Sequence, residues 1–294
     1  MVSKTSVSRK VFVLLNTLFL LGLSFSCIVP ILHIIFSSVS DPILLSRNQG
    51  VLLKPLGFTL RGYVMVIKNP NIINGFLNTL FYVIAGTALN LLLTSFGAYV
   101  CSRKNFVYGK YLIFMITFTM FFSGGLVPFY LLVKMLGLVN TRWALILPTA
   151  ISAYNLIIMR TSFREIPDSL EDSARLDGAN DFIILFRIIL PVSKAVVAVM
   201  ILLYAVGHWN SWFNAMIFLR NRKLYPLQLL LREILIQSDT TKIMSSANAE
   251  NQLDIYKPLI KYSTIIVSIL PIMCLYPFIQ KYFVSGIMIG SIKG

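Results

Sequence analysis

Charge-free stretches alternate with short polar segments along this chain, a pattern typical of a protein that crosses a membrane several times. A helix needs about 20 apolar residues to span the hydrocarbon core of a bilayer. Six windows with few or no charges meet or approach that length: Val11–Val39, Asn69–Ser102, Tyr111–Val133, Trp143–Met159, Ala195–Leu219 and Tyr262–Gln280. The shortest can continue through Arg160, whose long side chain can reach back to the interface. We therefore predict an all-α membrane protein with six transmembrane helices.

The first window follows Lys4, Arg9 and Lys10, an arrangement that also begins a secretory signal peptide. Its apolar run is far longer than the roughly 7–15 residues of a signal sequence, and no small-x-small cleavage site follows. We interpret it as an uncleaved membrane anchor behind a short basic tail, residues 1–10.

A polar segment between the fourth and fifth windows, Glu165–Pro191, departs most clearly from the apolar pattern. It carries six acids, Glu165, Asp168, Glu171, Asp172, Asp177 and Asp181. Asp168 or Ser169 after Pro167 predicts a helix cap, and Gly178 predicts the end of that helix. Asn180 or Asp181 can cap the next helix. So much charge must face water or a partner protein, and the segment is typical of a docking element.

Composition agrees with a membrane protein, since 57% of the residues are hydrophobic, 13% are charged and the mean hydropathy is +0.79. A net charge of +15 could suggest nucleic acid as a partner. The basic residues lie at span ends and in loops, however, where lipid headgroups attract them. We therefore expect contact with the lipid bilayer and none with nucleic acid. Three basic residues in the short loop 101–110 favour a cytoplasmic N-terminus.

Cofactor and metal sites are not indicated by the sequence. Cys27, Cys101 and Cys274 are isolated from one another, so neither a zinc site nor a disulfide framework is predicted. His33 and His208 are far apart and are expected to be packed or interfacial histidines. No GxxxxGK[ST] loop is present, so ATP binding by that motif is excluded for this chain.

From Asp172 onwards the polar segment follows a spaced pattern: acid, two small residues, three further residues, Gly, nine residues, Ile, any residue, Leu-Pro. The matching positions are Asp172, Ser173, Ala174, Gly178, Ile188, Leu190 and Pro191. This pattern resembles the EAA signature of permease subunits in binding-protein-dependent ABC importers. It departs from the signature at two positions, with Asp for Glu at 172 and Ser for Ala at 173.

Three further stretches resemble the sugar-importing branch of that family. The C-terminal QKYFVSGIMIGSIKG is similar to the end of the smaller permease in maltose-type importers, and residues 208–221 are similar to its Trp-Asn box. The run from FSGGLVPF to IMRTSF is similar to a Gram-positive subgroup that handles oligosaccharides and polysaccharide fragments. Together these resemblances cover most of residues 76–294.

The resemblance implies a type I ABC importer permease (MetI-like) fold with a cytoplasmic coupling helix in the bacterial plasma membrane. It implies a permease domain over 76–282, preceded by the tail, first span and outer segment (1–75) and followed by a C-terminal tail (283–294). The implied partners are a second homologous permease, two cytoplasmic ATPase subunits, an extracellular substrate-binding lipoprotein and an oligosaccharide. ATP and Mg²⁺ would bind the ATPase partner, so this chain itself would be neither an enzyme nor a cofactor protein.

In that family the coupling helix sits in a groove on the ATPase, and the implied coupling residues are Glu171, Asp172, Ser173, Ala174, Asp177 and Gly178. Pro191 is expected to kink the fifth span. Sugars are held by aromatic stacking and by amide or hydroxyl groups, so the candidate pathway residues are Tyr154, Asn155, Tyr204, Trp209, Asn210 and Trp212. Two alternatives stay open for them: the tryptophans suit an interfacial aromatic belt, and Tyr154 and Asn155 suit hydrogen bonds between helices.

An ion-coupled secondary sugar transporter is the main alternative function. Such carriers place an acid inside the membrane to mark the ion path, and the six windows contain no Asp or Glu. Carbonyl groups of broken helices could still bind sodium. A membrane-embedded enzyme would need acids together with a histidine or nucleophile, and the acidic segment contains no histidine.

Overall fold

The computed structural model describes residues 7–48, 50–104, 106–244 and 252–289, and this part of the chain contains helices and no β-strand. The prediction of an all-α protein is confirmed. The predicted tails, 1–10 and 283–294, lie partly outside the described residues. In chain order the helices are α1 (Val7–Ser38), α2 (Pro42–Arg47), α3 (Arg61–Lys68), α4 (Pro70–Ser102), α5 (Gly109–Phe121), α6 (Leu126–Met135), α7 (Trp143–Ile146), α8 (Ala153–Arg164), α9 (Asp168–Leu176), α10 (Asp181–Ile183), α11 (Leu190–Val192), α12 (Lys194–Trp209), α13 (Phe213–Phe218), α14 (Leu227–Met244) and α15 (Gln252–Ile289).

Among the described residues, three helices are long and apolar enough to cross a membrane alone, within α1, α4 and α15. Three bent pairs reach the same length together: α5 with α6 at 117°, Trp143–Thr149 with α8 at 50°, and Asp181–Val192 with α12 at 89°. The six predicted windows fall on these six units, and the count is six when each bent pair is one span. The fifth span bends by 89° at Ser193, two residues beyond Pro191, where the kink is expected.

Two windows differ from the straight spans that their hydropathy predicts. The third is broken at Gly125, whose φ of +85° lies in the left-handed region that other residues rarely adopt. Helix α6 then covers Leu126–Met135. The fifth window does not continue to Leu219, because the Asn210 side chain donates to the carbonyl of Val206 and α12 ends at Trp209.

The described residues form two compact units, and the first contains those up to Asn69 together with those in 233–269. Helix α1 exposes nearly all of its apolar side chains, as a lipid-facing helix does. The chain after it is tied back by backbone bonds, from the Asp41 N–H to the Leu56 carbonyl and from the Thr59 N–H to the Val39 carbonyl, each 2.8 Å. The Leu52 N–H also donates to His33 Nδ1 at 3.0 Å. His33 is thus a packed histidine.

The second unit, which contains Pro70–Arg232, is organised around α4, with α8 and α12 packed against it. Gly75, Gly86 and Gly97 recur every 11 residues, close to three helical turns, and so lie on one face of α4. Neighbouring elements come close at each of them. A Cβ atom at Gly86, for example, would lie 2.4 Å from His208 Nε2. Small residues of this kind allow membrane helices to approach each other.

Polar side chains of α4 bind the backbone of segments that lie outside the α-helices. Asn78 Nδ2 donates to the carbonyl oxygens of Lys223 (2.7 Å) and Tyr225 (3.2 Å), and Tyr82 Oη donates to that of Leu224 (2.8 Å). Further along, Asn90 Nδ2 donates to the carbonyls of Thr149 (2.6 Å) and Ala150 (3.0 Å), where α7 and α8 are separated.

Replacement of Asn90 by Leu is expected to destabilise the protein by at least about 2 kcal/mol, because buried carbonyl groups lose their donor. The measurement is the free energy of unfolding of the purified protein in mixed micelles, titrated with dodecyl sulfate. Asn74→Leu is the matched control, since Asn74 is an exposed asparagine of the same helix and should change stability by less than about 0.5 kcal/mol. Equal losses in the two variants would contradict the role assigned to Asn90.

Candidate coupling helix and central cavity

Helix α9 ends as predicted but begins differently. Pro167 occupies the N-cap position and makes no side-chain bond, so the prediction of Asp168 or Ser169 as the cap is wrong. Asp168 instead forms an ion pair with Lys104 at 2.5 Å, and this bond lowers its pKa below the ordinary value. Asn180 caps the following helix, where its Oδ1 accepts the Ile183 N–H at 2.9 Å.

The C-terminus of α9 is a Schellman motif built on Gly178. The Gly178 N–H donates to the Arg175 carbonyl at 3.0 Å, and the Ala179 N–H donates to the Ala174 carbonyl at 2.9 Å. Gly178 has a φ of +80°, which explains why glycine occupies this turn. The motif gives the chain a sharp exit towards α10.

Two of the six predicted coupling residues face inwards. Glu171 and Ala174 are buried, and the Glu171 carboxylate pairs with the guanidinium of Arg103, directly after α4. Arg103 also lies over the Tyr99 ring, 4.8 Å from its centroid, and its Nη2 donates to the Phe163 carbonyl at 3.4 Å. Burial lowers the pKa of Arg103, although an arginine remains charged. The inner face of α9 is thereby fixed to the end of α4.

The other four predicted coupling residues, Asp172, Ser173, Asp177 and Gly178, are exposed. A second ion pair borders this surface: Arg175 Nη2 lies 2.5 Å from Asp181 Oδ1, which raises the pKa of the arginine. Tyr99 Oη donates to the same Asp181 oxygen at 3.0 Å. The exposed face of α9 therefore carries these polar residues beside the exposed Leu170 and Leu176, while its ends are tied to the end of α4.

A cavity of about 350 Å³ lies in the second unit. Four of the six predicted pathway residues line it, namely Asn155, Tyr204, Asn210 and Trp212. Tyr154 does not, and its side chain is 58% exposed. Trp209 does not line it either, because it is buried edge-on against Phe76 with ring centroids 6.0 Å apart.

Pairs of polar residues on facing helices build the wall of the cavity. Thr94 Oγ1 and Tyr204 Oη are 2.6 Å apart, and Tyr204 Oη also accepts the Ser152 N–H at 3.3 Å. Asn90 Nδ2 donates to two carbonyls, so its Oδ1 is the acceptor for His208 Nε2 at 2.7 Å. That assignment places the proton of the neutral imidazole on Nε2.

Asn90, Ser152 and His208 were missed as cavity residues. One signal could have found two of them. Asn90 and Thr94 are four apart on α4, and Tyr204 and His208 are four apart on α12, so each pair shares a helix face in an otherwise apolar segment.

The cavity combines aromatic rings with amide and hydroxyl groups. None of the described residues that line it is an acid, a lysine or an arginine. It is therefore suited to binding a neutral polar ligand.

Comparison with known proteins agrees with this architecture. The chain is 38% identical to the polygalacturonan/rhamnogalacturonan transport system permease protein YtcP of Bacillus subtilis strain 168, over 98% of this chain and 100% of that protein. It is 39% identical to Protein LplC of the same strain, over 97% of this chain and 96% of the relative. It also superposes on a crystal structure of a bacterial ABC transporter involved in the import of the acidic polysaccharide alginate. There the TM-score is 0.85 at 29% identity, covering 95% of this chain and 99% of the other.

Residues 95–289 match the family model described as the binding-protein-dependent transport system inner membrane component. The predicted permease fold is confirmed by this match and by the solved structure. The spans around a polar cavity agree with the sequence match, and so does the buried ion pair beneath a short polar helix. This chain belongs to the family of membrane components of binding-protein-dependent transport systems.

Proposed function

We propose that this chain is the membrane-spanning permease subunit of an ATP-driven importer that moves oligosaccharides or polysaccharide fragments by alternating access. The observation that carries the proposal is the continuity of α4. This helix lines the cavity with Asn90, and its C-terminal end carries the residues that hold α9. The names of the similar proteins, which concern polygalacturonan, rhamnogalacturonan and alginate, support a saccharide as substrate.

The proposed complex contains a second, homologous permease, two ATPase subunits that bind ATP and Mg²⁺, and an extracellular substrate-binding lipoprotein. The N-terminus and α9 face the cytoplasm of a bacterium in this proposal. The exposed outer face of α9, with Asp172, Ser173 and Asp177, suits a groove on an ATPase because small and acidic residues allow close, charge-assisted contact. No described part of the chain covers this surface.

Movement of α9 would reach the cavity by two routes. The ion pair between Glu171 and Arg103 joins it to α4, which carries Asn90 and Thr94. The chain after α9 passes through a π-helical segment, Ile184–Ile189, and the 89° bend into α12. Breaks of this kind are where small shifts become changes of helix tilt. Two of the helices that line the cavity, α4 and α12, would therefore respond to one displacement at the ATPase.

An ion-coupled sugar carrier is less well supported. The carbonyl groups that could bind sodium at the break between α7 and α8, those of Thr149 and Ala150, accept hydrogen bonds from Asn90. No acid lines the cavity. The distinguishing experiment is uptake of labelled oligosaccharides into vesicles that contain the reconstituted complex, with ATP inside or with an ion gradient alone. Uptake driven by the gradient in the absence of ATP would contradict the proposal.

Gly178→Asp is expected to abolish the stimulation of ATP hydrolysis by the substrate-loaded receptor, because it strains the Schellman turn and adds a charge to the docking surface. The subunit should still insert and assemble. Gly137→Asp is the matched control: Gly137 also has a positive φ (+69°) and no atom within 4 Å of an added Cβ. Normal stimulation in the Gly178 variant would refute the docking assignment.

Arg103→Gln is expected to uncouple hydrolysis from transport, because it leaves the buried Glu171 carboxylate without its partner. Breaking a buried ion pair in this way costs about 3–5 kcal/mol. The measured quantity is the number of sugar molecules imported per ATP hydrolysed. Lys104→Gln serves as the control, since its pair with Asp168 is largely exposed. The double variant Arg103→Gln/Glu171→Gln should recover part of the coupling, and an unchanged ratio in the single variant would contradict the first route.

A further inference from the structure

The second unit carries cations at both ends but acids at only one. Within 70–232 every acid lies in the segment 165–181, at the α9 end, where Arg103, Lys104 and Arg175 pair with three of them. The segments near the start of α4 carry six cations, and Glu233 directly follows the last of them. The six are Lys134, Arg142, Arg220, Arg222, Lys223 and Arg232. Their position follows from the bonds of Asn78, which donates to the Lys223 carbonyl and accepts from Arg142 Nη2 at 3.2 Å.

Cations at this end run against the usual distribution in membrane proteins. If α9 is cytoplasmic, this end is external, where short loops normally contain few Lys and Arg. An excess of charge of one sign near a cleft raises the local concentration of the opposite ion. An anionic substrate would account for the Lys and Arg residues at this end.

One of these cations lies beside the cavity. The guanidinium carbon of Arg232 lies 4.1 Å from the centroid of the Trp212 ring, and Trp212 lines the cavity. Arg232 Nη1 contacts the sulfur of Met216 at 2.5 Å. Over the part of the chain that the structure describes, no carboxylate forms an ion pair with Arg232. A guanidinium that stacks through its flat face keeps N–H groups at its edge for two parallel bonds to a carboxylate.

We infer that Arg232 and Trp212 form a subsite for an acidic sugar, with the ring of Trp212 against the pyranose and the guanidinium on its carboxylate. The inference rests on the proposed function and narrows its substrate class to uronate-containing oligosaccharides. The cavity wall itself is neutral, so the carboxylate would be recognised at the rim, where Trp212 is 36% exposed. Arg232 is then a specificity-determining residue.

The test compares trigalacturonate with its methyl ester, which differs only in the charge of the carboxyl groups. Initial uptake into vesicles is measured for the complete transporter carrying wild-type chain, Arg232→Gln or Arg220→Gln. The Arg220 variant is the matched control, because it removes the same charge at the same end from an exposed side chain that does not line the cavity. Binding is also measured without the receptor, from the fluorescence of Trp212 in a variant of this chain that has no other tryptophan. This measurement distinguishes recognition by the permease from recognition by the receptor.

Arg232→Gln should lower uptake and binding of trigalacturonate about tenfold or more, as expected for a lost charge-assisted hydrogen bond. Binding of the methyl ester should change less than about twofold, and Arg220→Gln, which removes one of the surrounding cations, should lower uptake of trigalacturonate far less than Arg232→Gln does. Equal losses for the two sugars, or no loss for either, would overturn the subsite. A wild-type complex that imports neutral oligosaccharides and excludes uronates would overturn it while leaving the proposed function intact. A complex that imports no saccharide would overturn both.

Discussion

Backbone groups freed at a helix break must find partners inside the protein, because the hydrocarbon core of a membrane offers none. This requirement is met at one break of the second unit by α4. Asn90 satisfies the carbonyls between α7 and α8, and Asn78 and Tyr82 satisfy those before α14. One unbroken helix thus carries the hydrogen bonds of the α7–α8 bend and of the segment before α14.

The same polar groups make the cavity. Once Asn90 has donated both amide hydrogens to carbonyls, its oxygen is left to fix the His208 ring. Tyr204 joins the backbone of Ser152 to Thr94 in a similar way. An otherwise apolar bundle thus contains a cavity lined by polar groups and aromatic rings, beside the break between α7 and α8. The side chains that satisfy the broken backbone therefore also form the binding cavity. Their bonds to neighbouring helices hold the wall of the cavity in place.

The apolar windows predicted the number and approximate position of the spans, because length and hydropathy are local properties. The bends could not be predicted from hydropathy, since they depend on a left-handed Gly125 and on distant partners. The spacing around Gly178 identified α9 and its end. The predicted N-cap of α9 was wrong because Asp168 forms an ion pair with Lys104, a residue far away in the sequence. Asn90 and His208 were missed for the same reason, since they meet only when α4 and α12 pack together.

The charges of the second unit fit a mechanism driven from outside the chain. A titratable carboxylate inside the spans would allow an ion to drive the cycle, and none is among the described residues of the cavity wall. The Glu171 carboxylate is instead buried against Arg103 at the inner face of α9. A buried ion pair adds little net stability, but it fixes geometry because either partner alone is costly. In the proposed mechanism this pair makes α9 and α4 move together, and the outer face of α9 stays free to follow an ATPase.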